Sequence, residues 1–273
     1  MHKYMYYAIA LRRTKMSKRG LAKKSVFLQN IFLKKYNAKL DLVMNGELIT
    51  QYMAYDVINH SLQEKYSVYH DYTRYRTFEL LADEIRAQYI DEDLSQFCVA
   101  EAGVFLGEFA WIINERFPEC NIYLYDTFEG FDKNDLAEEI DNFYTKDENL
   151  THYKELFGGA ELSAENRIEI VKGRMPHTDK CVFRKGYFPE TAVNEKEKRW
   201  LFVSLDMDLY VPIKEGLKFF WPNMVNGGYI FVHDYNNKDF AGIRKAIIEI
   251  EKEFGTIKKV PLSDQGGTII LCK

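Results

Sequence analysis

Four short apolar runs in this chain each end in an acid or a histidine–acid pair. Phe97–Ala100 leads to Glu101, Ile122–Tyr125 to Asp126, Leu201–Leu205 closes on Asp206, and Tyr229–Val232 is followed by His233 and Asp234. Carboxylates in such places can hold a cation, accept hydrogen bonds from sugar hydroxyls or take a proton. Parallel strands of an open sheet would bring all of them to the one edge where such sheets bind ligands. The ordered series is more specific than any single acid.

The first acid opens the turn Glu101-Ala-Gly103-Val104-Phe105-Leu-Gly107. Two glycines let the backbone turn sharply and approach a ligand. The spacing is not the G-x-G-x-x-G that seats a pyrophosphate at a helix N-terminus. A donor with no pyrophosphate and a cationic amino-acid end, S-adenosylmethionine, suits the looser turn and its acid. Taken alone, the turn is also an ordinary strand–helix connection. Asp126 follows at the end of the next run, where an acid accepts from both ribose hydroxyls; its structural alternative is a helix cap or Asx-turn.

Asp206-Met-Asp208 and His233-Asp234 bring three carboxylates and an imidazole to neighbouring strand ends. Such a set can bind a hard divalent cation through oxygen. A sugar hydroxyl needs a base or a metal to react near neutral pH, and His233 has the intrinsic pKa of a base. The plain alternatives are a backbone-bonded histidine and a helix-capping Asp208. Asp206-x-Asp208 also matches the pattern by which glycosyltransferases hold a metal and a nucleotide-sugar diphosphate. A non-catalytic binding scaffold is a third reading.

The elements that must position these residues form two blocks. Residues 1–94 lack period-two alternation. Val26–Lys35 and Arg76–Tyr89 place apolar residues at helical spacing, with Phe78, Leu81, Ile85 and Tyr89 on one stripe. This block is expected to be a helical cap or arm, of a kind that often forms a homodimer. Residues 95–273 alternate strands and helices, which implies right-handed βαβ units and a mostly parallel sheet. Between Asp126 and Leu201 one more strand is needed. Ile168–Val171 and Cys181–Lys185 both qualify; the second is preferred, because Ser163 can cap a helix running through Ile168. A helix is expected over Phe240–Phe254 and a last strand over Thr268–Cys272.

Composition narrows the class. Hydrophobic residues at 47% and charged residues at 29% describe an ordinary globular chain. The first forty residues carry eleven Lys and Arg and no acid. Without a nucleic-acid motif, this reads as a solvated face docked on an acidic body, and no nucleic-acid partner is expected. Cys98, Cys120, Cys181 and Cys272 are too scattered for a zinc site or a disulfide framework, which suits the cytoplasm. No apolar stretch near the N-terminus is long enough to span a bilayer.

Five segments together resemble the macrocin O-methyltransferase family, which includes the mycinamicin and novobiocin sugar methyltransferases. They are V-A-E-A-G-V-F-L-G-E-F-A (99–110), Y-L-Y-D-T-F-E-G-F-D (123–132), K-G-Y-F-P-E-T (185–191), S-L-D-M-D-L-Y (204–210) and G-G-Y-I-F-V-H-D-Y (227–235). The resemblance covers roughly residues 75 to 273. It implies a Rossmann-like class I methyltransferase fold, with a mostly parallel seven-stranded sheet and helices on both faces. It also implies S-adenosylmethionine as donor, often magnesium, and as acceptor a hydroxyl of a sugar or a glycosylated or nucleotide-linked small molecule.

Carried over by motif, Glu101, Gly103, Val104, Phe105 and Gly107 would hold the methionine part and Asp126 the ribose. Thr127 and Phe128 would flank the ribose and adenine. Asp206 and Asp234 would bind the metal, with Asp208 beside them. Members with demonstrated metal use tend to show two consecutive aspartates where this chain has His233-Asp234. The departure favours His233 as the base, or as a third ligand. The reaction implied is in-line displacement of the sulfonium methyl by the acceptor oxygen.

Overall fold

The computed structural model describes residues 71–145 and 163–273. The chain divides into two compact units between Tyr72 and Thr73, and the account below concerns the second. The basic arm and the expected helix over Val26–Lys35 lie outside the described residues.

Strand β1 (Cys98–Ala102) is buried along its whole length, as is β4 (Trp200–Leu205). Continuous apolar runs of this kind belong to parallel strands covered on both faces. With β2 (Asn121–Asp126), β3 (Cys181–Lys185), β5 (Met224–Val232), β6 (Lys258–Pro261) and β7 (Ile269–Cys272) they form one seven-stranded sheet, ordered β3-β2-β1-β4-β5-β7-β6. The pairs β1–β2, β1–β4, β2–β3 and β4–β5 are parallel. Strand β7 runs antiparallel to both β5 and β6. The mostly parallel sheet expected from the sequence is the one observed. Strand β6 was not foreseen: Lys-Lys-Val-Pro is largely exposed at the sheet edge and shows no apolar alternation, and lysine and proline are what edge strands carry.

The ambiguous stretch resolves as expected. Ser163 caps helix α4 (Ala164–Arg174), its hydroxyl accepting from the Asn166 N–H at 3.3 Å, so Ile168–Val171 is helical. Cys181–Lys185 is the strand and pairs with β2.

Along β1, alternate residues face opposite sides. Cys98, Ala100 and Ala102 join the core that Leu136, Ile213, Leu217, Ile243, Ile247 and Ile250 build. These residues come from α3 (Lys133–Asp141), α5 (Tyr210–Phe220) and α6 (Gly242–Phe254). On the other face, Phe202 and Phe231 meet Phe78 of α1 (Tyr72–Gln88) and Phe109, which precedes α2 (Ala110–Arg116). Helix α1, expected within the N-terminal block, is thus packed on the sheet: Phe78, Ala82 and Ile85 are buried. Tyr75 and Tyr89 donate to the carbonyls of Glu108 (2.7 Å) and Asn226 (2.8 Å). The second compact unit begins at Thr73, in the first turn of α1, whereas the expected boundary at 94/95 falls after the helix.

One packing contact carries a pH dependence. Glu139 of α3 is buried and accepts from the Tyr210 N–H at the start of α5, while its Oε2 has no partner. Burial pushes its carboxyl from 4.5 up to about 7. A raised acid stabilises the fold below its unfolded pKa, and that contribution is lost as pH rises through the folded value. Glu139→Gln keeps an acceptor for Tyr210 and removes the charge. It is expected to stabilise the protein at pH 8 by about 1–3 kcal/mol and to have little effect at pH 5. Urea denaturation at both pH values checks this; an equal effect at both would contradict it.

Candidate active site

The C-terminal ends of β1, β2, β4 and β5 carry the residues singled out by sequence. Glu101 of β1 stands opposite Ser204 of β4 in register, and the Asp206 N–H donates to the Ala102 carbonyl at 2.8 Å. The acid of the glycine turn and the acids of β4 therefore sit on neighbouring strand ends. Glu101 is buried, and its Oε2 has no hydrogen-bond partner. Burial pushes its carboxyl well above the usual carboxylate range, with Arg74 pulling the other way. Such a group is completed by a cationic or hydrogen-bonding ligand.

Gly103 makes the close approach of β1 to β4 possible. Its φ is +84°, and a Cβ there would lie 1.9 Å from the Asp206 carbonyl oxygen. No other residue type fits that space. Gly107 also has positive φ and packs on Val171 of α4. Between them Val104 is buried, and Phe105 is partly exposed with a φ of 50°.

Asp126 accepts from two turns, its own in the Asx-turn manner. Its Oδ2 accepts from the N–H groups of Val104 (2.6 Å) and Phe105 (2.8 Å), and its Oδ1 from that of Phe128 (2.6 Å). The carboxylate ties the glycine turn of β1 to its own turn after β2. Thr127 donates to the Gly130 carbonyl at 2.6 Å and accepts from the Glu129 N–H at 3.1 Å, so its hydroxyl also serves the turn. Phe128 is fully buried, its ring 6.5 Å from that of Phe183. It is a core ring beneath the turn.

The acidic cluster assembles as the sequence suggested. One ligand atom from each of Asp206, Asp208, His233 and Asp234 lies within 4.8 Å of the others. His233 Nδ1 is 2.9 Å from Asp206 Oδ1 and 2.6 Å from Asp234 Oδ2. The ring rests on the β6–β7 loop, where a Cβ on Gly266 would be 1.9 Å from Nε2. Burial opposes charge on the imidazole, but the charge of Asp206 and the hydrogen bonds to Asp206 and Asp234 together outweigh it and push the pKa up to about 10. His233, expected as a base or a third ligand, lies between two acids. Asp206 is held well below the usual range because His233 and Arg74 outweigh its burial. Asp208 is pushed well above it by burial and by the charges of Asp234 and Asp206.

Asp208 does not cap α5: Leu209 is the N-cap and no side chain bonds there. Instead Asp208 and Asp234 hold left-handed backbone, with φ of 63° and 56°. Phe105 and Phe128 do the same at the donor turns. Left-handed backbone away from glycine costs about 1 kcal/mol or more per residue. Four of the five such non-glycine residues described border this site, which is where strain is retained for function.

Arg74 was missed by sequence reasoning. This buried side chain of α1 donates to Asp206 Oδ2 (2.9 Å) and Ser204 Oγ (3.0 Å), with its guanidinium 4.1 Å from the Phe109 ring centre. The signal was available: Arg74 lies one helical turn before Phe78 on the same apolar stripe, and a charge on such a stripe requires a partner.

Among the described residues, no helix is long and apolar enough to cross a membrane. The four cysteines are free. The macrocin-O-methyltransferase (TylF) family model matches residues 18–262. The O-methyltransferase NovP superposes with a TM-score of 0.58 at 15% identity, covering 74% of this chain and 79% of that one. The calicheamicin methyltransferase CalS11 superposes with a TM-score of 0.54 at 16% identity, covering 96% of each chain. At these identities the likeness is one of fold. No curated protein sequence matches the chain. The match over most of its length decides the matter: this chain belongs to the macrocin-O-methyltransferase family and is an O-methyltransferase.

Proposed function

We propose that the enzyme transfers the methyl group of S-adenosylmethionine to a hydroxyl of a sugar, carried by a glycosylated or nucleotide-linked small molecule. One observation carries the reading. A buried Glu101 whose Oε2 has no partner and the cluster of Asp206, Asp208, His233 and Asp234 stand on adjacent strand ends. The first suits the cationic amino-acid end of the donor, and the second suits an acceptor hydroxyl.

In this reading the acceptor oxygen forms a bond to the methyl carbon as the carbon–sulfur bond breaks. The sulfur keeps the electron pair and leaves as a neutral thioether. The hydroxyl proton passes to a carboxylate of the cluster. Because the sulfonium charge disappears along this path, alignment and exclusion of water are the main levers. The turn braced by Asp126 sets the donor, and the strand ends of β4 and β5 set the acceptor.

The cluster also fits a divalent cation. Its donors are mostly carboxylate oxygens, as magnesium prefers, and the crowding that raises Asp208 is of a kind a cation relieves. Asp206, Asp208 and Asp234 would hold it. A bound divalent ion lowers the pKa of a coordinated hydroxyl.

A thermal-shift comparison tests the donor. S-adenosylhomocysteine at 100 times its Kd should stabilise the fold by about 2.7 kcal/mol, whereas UDP and GDP should not. Stabilisation by a nucleoside diphosphate alone would point instead to glycosyl transfer through Asp206-x-Asp208.

A further inference from the structure

Arg74 has no role in the reading above, yet it is among the most deeply placed charges at the site. On its face of the sheet the register aligns Leu124, Glu101, Ser204 and Phe231 across β2, β1, β4 and β5. Leu124 and Phe231 are apolar, and Glu101 and Ser204 form a polar notch between them. The guanidinium meets this notch, donating to Ser204 Oγ at 3.0 Å and to Asp206 Oδ2 at 2.9 Å. The other oxygen of Asp206, Oδ1, is 2.9 Å from His233 Nδ1. Both oxygens of the proposed metal ligand thus face a positive or proton-donating protein group.

A carboxylate oxygen has two lone-pair sites, so sharing is possible. It is sharing with a fixed cation all the same. We infer that Arg74 is a positioning residue that holds Asp206 through Oδ2 and competes with a divalent cation for it, keeping cation binding at the cluster weak. The guanidinium cannot be titrated away, so this competition is independent of pH. The inference rests on the reading of the cluster as a cation site, and it concerns the protein before donor or acceptor binds.

The test is Mn²⁺ binding to the donor-free protein, followed by the loss of the free-ion signal in electron paramagnetic resonance. Removing one positive charge beside the ion should tighten Mn²⁺ binding in Arg74→Gln by about tenfold or more. Arg74→Lys keeps a charge but cannot reproduce the planar fork that spans Asp206 and Ser204; its affinity should fall between the two. Loss of a merely structural contact would loosen the site and weaken binding in both variants. Melting curves report whether each variant folds. Should Arg74→Gln not fold, Arg74→Lys decides: tighter binding than the parent supports the inference. Binding no tighter than the parent, or no Mn²⁺ binding by parent and variants alike, overturns it. S-adenosylhomocysteine binding to the parent, measured alongside, reports separately on the methyltransferase reading.

Discussion

Asp126→Ala is expected to lose S-adenosylhomocysteine binding by about a hundredfold or more and to lower stability by roughly 3–5 kcal/mol. The reason is the set of three backbone N–H groups that its carboxylate satisfies: Val104, Phe105 and Phe128. Each hydrogen bond to a charged acceptor contributes about 1.5–3 kcal/mol, and the contributions do not add fully because the freed turns relax. Phe105 and Phe128 both hold left-handed backbone, so the turns have a ready reason to relax when their tether goes. Asp126→Asn is a sharper probe. Its amide can accept on only one side, and its NH₂ group would confront the N–H groups on the other. Calorimetric titration and a urea curve measure both effects. A variant that binds as tightly as the parent and unfolds at the same urea concentration would show that the tether does not organise the donor turn.

Asp206→Ala is expected to destabilise the fold by about 1.5–3 kcal/mol, because it removes the carboxylate that the buried guanidinium of Arg74 meets at 2.9 Å. Arg74 retains Ser204 Oγ and the nearby carboxyl of Glu101, so the loss is partial. Donor affinity should change little by comparison. The contact of Asp206 with the glycine turn runs through its main-chain carbonyl beside Gly103, which alanine preserves. The two readouts therefore separate: a large shift in unfolding, a small one in S-adenosylhomocysteine affinity. If stability falls by less than about 1 kcal/mol, the Arg74–Asp206 pair carries no more than a surface ion pair does.

Much of this site was legible before any coordinates. Parallel strands leave a mark in sequence because they are apolar throughout and end at the binding edge; Glu101, Asp206 and Asp234 were found in that way. The helix through Ile168 was legible from its Ser163 cap. What sequence does not reveal is local chemistry decided by distant partners. Asp126 was recognisable as a strand-end acid, but nothing in its neighbours indicated that it bonds the N–H groups of a different turn. Phe128 carries the same letter whether its ring is open or buried; only the packing against Phe183 decides. His233 has the pKa of a base in isolation, and two acids at hydrogen-bond distance raise it. Strand β6 was invisible because an exposed edge strand has no apolar pattern to detect.

The most direct measurement is a crystal structure of the protein with S-adenosylhomocysteine bound. The donor's amino-acid end should meet Glu101 beside the Gly103 turn, with the sulfur directed at the carboxylates of Asp206, Asp208 and Asp234. Adenosylhomocysteine seated at another edge of the sheet, or with its sulfur turned from those carboxylates, would contradict the proposed path of the methyl group.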